Sequence, residues 1–208
     1  MLLGDPDALD IEVIINWYSV VAAAMDAERA RVRAVIISRA PSYSHMAGMT
    51  LAEVDEYFDH ANTELELATA SFMFAAAEAK VRLDFERRCS SANTALISLH
   101  NWFKGLQSNA SKPWQVPLAK GGILDRWKDY IRNQNNAVIP KSSADRFVHQ
   151  IGEFKQCLML RHWLAHGRYW VPTVSPTGYP PQITLRIIQR MFLALDTTAQ
   201  MTGLPKFS

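Results

Sequence analysis

The chain has 208 residues, enough for one domain with extensions. Its composition, 49% hydrophobic and 20% charged, is that of a folded globular protein and excludes disordered, collagenous and low-complexity classes. No apolar run reaches the ~18 residues of a bilayer span. The longest candidate, SFMFAAAEAKV at 71–81, is broken by Glu78 and Lys80. The acidic start MLLGDPDALD lacks the basic-then-apolar pattern of a secretory signal. Cys89 and Cys157 are too few for a disulfide scaffold and lack metal-ligand spacing. The expectation is a reduced, cytoplasmic protein without a membrane partner.

The net charge of +2 conceals an asymmetry. Residues 1–79 carry 4 Lys and Arg against 13 Asp and Glu, a balance of −9. Residues 80–168 carry 15 against 6, a balance of +9. Either an anionic ligand sits on the basic segment, or the two segments pack together and neutralise each other.

In chain order the pattern is helical almost throughout. Asp5-Pro6-Asp7 offers an N-cap with proline in the first turn, and apolar residues from Ile11 to Met25 recur at helical spacing. This predicts a helix from Ala8 to about Arg39, ended by Ala40-Pro41-Ser42. Thr50-Leu51-Ala52-Glu53 is a capping box opening a long helix over 51–88. Leu65, Ala68, Phe72, Ala75, Ala76 and Ala79 are its predicted apolar stripe. Cys89-Ser90-Ser91 can bend it before the pattern resumes through Phe103. Residues 105–121 read as a loop.

A shorter helix is expected over 123–133. Ser142 or Ser143 would cap the next, at 144–166, with Phe147, Ile151, Phe154, Leu158 and Trp163 inward. Gly167 suits a left-handed helix end. A proline-rich loop spans 171–182. A last helix over 183–202 presents Ile187, Ile188, Met191, Phe192 and Leu195. The fold class is all-α, a single-domain helical bundle of four to six helices. Residues 1–45 form an N-terminal helical extension and 50–202 the helical core.

The most informative segment runs from Leu160 to Trp170 and sets Arg161, His162, His166, Arg168, Tyr169 and Trp170 about a helix C-terminus. The exposed carbonyls of a helix end favour cationic groups beside them. Histidine can move protons, and a guanidinium can clamp a phosphate. Arg161 and His166 are five apart, about 140° around an ideal helix, so their convergence needs a long Arg reach, an unwound end or a second chain. His162 and His166, four apart, share a face.

This segment resembles the R-x(4–6)-H motif of the HEPN superfamily of small all-α domains, and Glu78 to Arg88 resembles the earlier helix of its RiboL-PSP type. The likeness covers residues 60–200. It implies an HEPN-like fold and a metal-independent endoribonuclease without cofactor. RNA would be its partner, a homodimer its state and a toxin–antitoxin or phage-defence system its setting, with room for a cognate antitoxin. Arg161 and His166 would be catalytic, attacking with the ribose 2′-hydroxyl that DNA lacks. His162, Arg168, Tyr169, Trp170, Arg82 and Arg88 would extend the RNA-binding surface. One departure stands out. Some HEPN toxins carry tyrosine two residues after the histidine; here that residue is Arg168, and Tyr169 follows.

Other readings of the same residues stay open. Arg161 and His166 can simply cap a helix. The scaffold can bind RNA, a nucleotide or a partner without cutting. His162 and His166 at one-turn spacing can ligate a metal, although no H-E-x-x-H pattern exists. Glu78 with Arg82, and Asp84 with Arg88, can form surface ion pairs. Trp114, Trp127 and Tyr130 could stack bases, though core positions suit them equally.

Overall fold

In the computed structural model the described residues are 10–39, 46, 48–90, 103, 117–168, 171, 175–204, 206 and 207. Five α-helices lie among them: α1 (Ile11–Ser38), α2 (Leu51–Ser90), α3 (Ile123–Arg132), α4 (Lys141–Ala165) and α5 (Pro181–Met201). A 3₁₀ turn at Pro176–Gly178 precedes α5, and no strand occurs among the described residues. The protein is all-α. No helix among the described residues is long and apolar enough to cross a membrane.

The helix ends explain where each element stops. Asp10, not Asp5, caps α1: its carboxylate accepts the N–H of Glu12 at 2.8 Å, so the helix begins three residues later than Ala8. Asp5, Pro6 and Asp7 lie outside the described residues, as do most of the predicted loop at 105–121 and the resumed pattern before Phe103. The capping box at α2 forms as expected: Glu53 accepts the N–H of Thr50 at 2.7 Å, and Thr50 accepts that of Glu53 at 3.3 Å. Neither Ser142 nor Ser143 caps α4. The Pro140 carbonyl takes the N–H groups of Ser143 and Ala144, and the helix starts at Lys141.

α1 and α2 form an antiparallel hairpin. Arg29 bridges Asp55 and Asp59, Arg33 pairs with Asp55, and further along Trp17 meets Phe72 edge-on at 6.4 Å. A small apolar cluster of Val32, Met46, Val54 and Phe58 closes one end. The main core lies on the other side of α2, where Ala70, Met73, Phe74, Ala77, Val81 and Phe85 meet α3, α4 and α5.

This corrects the predicted α2 stripe. Phe72 is 55% exposed and Ala68 is exposed, while the true inward positions are offset from them. A helix packed on two sides has no single stripe to read. Small residues at 70, 76 and 77 do face inward and allow close helix approach. Of the inward sets predicted for α4 and α5, Leu158 and Phe192 are half-buried against the core, while Phe147, Ile151, Phe154, Trp163, Ile187, Ile188, Met191 and Leu195 are buried in it. Each such side chain contributes roughly 1.5–3 kcal/mol.

Candidate functional site

α4 ends in a Schellman motif. The Gly167 N–H bonds the Leu164 carbonyl at 3.4 Å and the Arg168 N–H bonds that of Trp163 at 3.2 Å. Gly167 takes the left-handed conformation expected of it, φ 80, and Arg168 follows at φ 63. Two successive left-handed residues set Arg168 where its side chain meets α2.

That turn sets the partner of Arg168, whereas Arg161 meets α2 from within α4 itself. Arg161, 37% exposed, places Nη1 2.9 Å from Oε2 of Glu78. The other oxygen of that carboxylate accepts from Nε and Nη2 of Arg82 at 3.0 and 2.8 Å. Arg168 grips Glu64 through two 2.7 Å bonds and lies 5.5 Å over the Trp163 ring. Its guanidinium, donating first of all through those hydrogen bonds, holds the Glu64 carboxyl below the usual carboxylate range. Glu64 and Glu78 are fourteen residues apart, about 21 Å along α2. Arg161 and Arg168 are therefore anchored to separate stretches of one helix and do not share one phosphate position.

The histidines meet each other. The rings of His162 and His166 lie 4.2 Å apart between centroids, inclined by 61°. Both residues are exposed at the end of α4, where the His166 N–H also bonds the His162 carbonyl at 3.1 Å. Arg161 adjoins this pair in sequence. On the helix the Arg161 side chain points about 100° away from that of His162 and meets Glu78 of α2, while the two imidazoles are exposed.

Two expectations need correction. Arg88 and Asp84 do pair, at 2.7 and 2.9 Å, but both are 3% exposed. Arg88 lies 5.1 Å over the buried Trp127 ring, so it is an interior cation and not part of a phosphate-binding surface. Its aliphatic stem and the facing aromatic carry it inward. Trp127 and Tyr130 are core residues as well, packed edge-on with Phe103 and each other, so neither is open to a base. Tyr169, Trp170 and Trp114, named as stacking candidates, lie outside the described residues.

Sequence reasoning missed Glu64 and the second role of Glu78. Their partners are 104 and 83 residues away, beyond any local spacing rule. The one signal was the charge asymmetry, since both bridges join the acidic segment to the basic one. No group of three or more His, Cys, Asp or Glu that could hold a metal occurs among the described residues. No protein-family model, curated protein or solved structure matches the chain.

Proposed function

We propose that the chain is a metal-independent endoribonuclease of the HEPN type, a homodimer in a toxin–antitoxin or phage-defence setting. The observation that carries this reading is that the last turns of α4 carry a partly exposed Arg161 guanidinium and an exposed pair of imidazoles, His162 and His166. In the reaction, a ribose 2′-hydroxyl attacks its adjacent phosphorus while His166 takes the hydroxyl proton. Arg161 donates to the non-bridging oxygens as their charge grows. The bond to the 5′-oxygen breaks, and that oxygen takes a proton from His166 of a second copy across the dimer axis. The products are a 2′,3′-cyclic phosphate and a 5′-hydroxyl. Purified protein should cut single-stranded RNA in excess EDTA to leave those ends. Cutting that stops on chelation, or that persists unchanged in Arg161→Ala and His166→Ala, overturns the reading.

A second reading has its own support. Glu78 neutralises part of both Arg161 and Arg82, and a carboxylate at that position repels a phosphate. This favours a module that binds RNA or a protein partner without cutting. Salt-sensitive RNA binding with no cleavage products distinguishes it.

A further inference from the structure

α1 is apolar on more sides than α2 can cover. One side, with Ile15, Met25, Val32 and Ile36, packs into the two apolar clusters. Another side carries Val13, Trp17, Val20, Ala24, Ala27 and Ala34, with Arg31 between the last two, and all of these are exposed. They advance by alternating steps of four and three residues, the repeat by which one helix meets another along its length. Val13, Trp17 and Val20 are 61%, 45% and 70% exposed, and Phe72 of α2 adds an exposed ring beside Trp17. A helix apolar on both sides is ordinarily covered on both. The one charged residue in the row is already answered within the helix, because Arg31 donates two 2.7 Å hydrogen bonds to Glu28.

The row is uneven, and its unevenness points to what covers it. The N-terminal half is bulky (Val13, Trp17, Val20) and the C-terminal half is small (Ala24, Ala27, Ala34). A second copy laid antiparallel puts the bulky half of each helix over the small half of the other, so each fills the space the other leaves. With Ala24 facing Ala27 of the second copy, Trp17 comes opposite Ala34 of the second copy. The same register brings exposed Glu12 in the first turn to Arg39 of the second copy, just past its last turn. A parallel copy would set Trp17 on Trp17 and hold the alanine halves apart.

We propose that this face of α1 pairs two copies of the chain, antiparallel about a twofold axis between Ala24 and Ala27. About 26 residues at 1.5 Å rise, on a helix about 12 Å wide, cover roughly 500 Å² of each copy, or about 1,000 Å² in total. That lies at the small end of specific interfaces, so pairing is reversible with a Kd of about 1–100 µM. α1 lies outside residues 60–200, the span of the HEPN likeness, and the test uses no RNA, so this pairing stands or falls apart from the nuclease reading.

Sedimentation velocity of the full-length protein from about 1 to 200 µM should show the 23.5 kDa chain giving way to a species of twice that mass. Val20→Glu places a charge in the seam and should raise the dimer Kd at least about tenfold. Helicity should be unchanged, because residue 20 is exposed in the single chain. Leu193→Glu, at an exposed apolar position on α5, should leave Kd as it is. A short bismaleimide should join two copies of Ala24→Cys, with wild type as the blank. It should not join two copies of Ser38→Cys, which the antiparallel register holds roughly 38 Å apart. A chain that stays monomeric throughout, a Val20→Glu protein that pairs like wild type, or cross-linking through Ser38→Cys overturns the proposal.

Discussion

The carboxylate of Glu78 sits between two guanidinium groups, bonding Arg161 of α4 through one oxygen and Arg82 of α2 through the other. The motif arginine is thereby tied to a helix 83 residues earlier in the chain.

That tie yields a graded prediction for RNA cleavage. Arg161→Ala and His166→Ala should each lower kcat by roughly 10²–10⁴-fold, the contribution of one positioned group. Glu78→Gln keeps a hydrogen-bond acceptor but removes the charge, so kcat should fall about tenfold with little change in melting temperature. Circular dichroism checks the fold of each variant, and gel analysis of end groups checks the chemistry.

The buried Asp84–Arg88 pair predicts a stability effect. Asp84→Asn leaves the Arg88 charge inside without its counter-ion and should destabilise by about 3–5 kcal/mol. The double substitution Asp84→Leu with Arg88→Met removes both charges and should recover most of that loss. Urea unfolding midpoints of the three proteins test this. An Asp84→Asn midpoint equal to wild type would show that the pair is not desolvated.

Glu64 predicts a pH dependence. Its hydrogen bonds from Arg168 lower its folded pKa below the ordinary value of about 4.3. A lowered folded pKa adds stability above the unfolded value, and that stability is lost as pH falls through the folded value. Wild type should therefore exceed Glu64→Gln in stability at pH 7. The two should converge as pH falls below the lowered folded value, once the carboxyl is protonated in both states. Denaturant titrations at a series of pH values measure the gap. A gap that widens on acidification would contradict the assignment.

The thiols predict slow labelling. With Cys89 raised to about 11 by burial, then by Glu86, its thiolate fraction near pH 8 is roughly 10²-fold below that of a free cysteine. Cys157 is fully buried and raised to about 12 by burial, then by Glu153. Both should resist iodoacetamide in the native state and react within minutes in guanidinium. Mass spectrometry counts the adducts.

The sequence made the all-α class, the capping box and the inward faces of α4 and α5 legible, because those depend on residues three or four apart. It misplaced the α2 stripe because α1 covers one side of that helix and the core the other, which no single periodicity encodes. It put Arg88 at the surface because an i,i+4 pair looks the same whether solvated or buried. The histidine pair was legible from its spacing. The grips on Arg161 and Arg168 were not, since each depends on how α4 lies across α2.

Arg168 holds a backbone conformation that costs a non-glycine residue about 1–2 kcal/mol. Its two bonds to Glu64 and its stacking over Trp163 offset that strain. Replacing it with glycine would relieve the main chain yet release the fastening, and Ala would lose on both counts. The turn that closes α4 is thus fastened by a side chain on a distant helix, so a change at residue 64 would be felt in the backbone of Gly167 and Arg168.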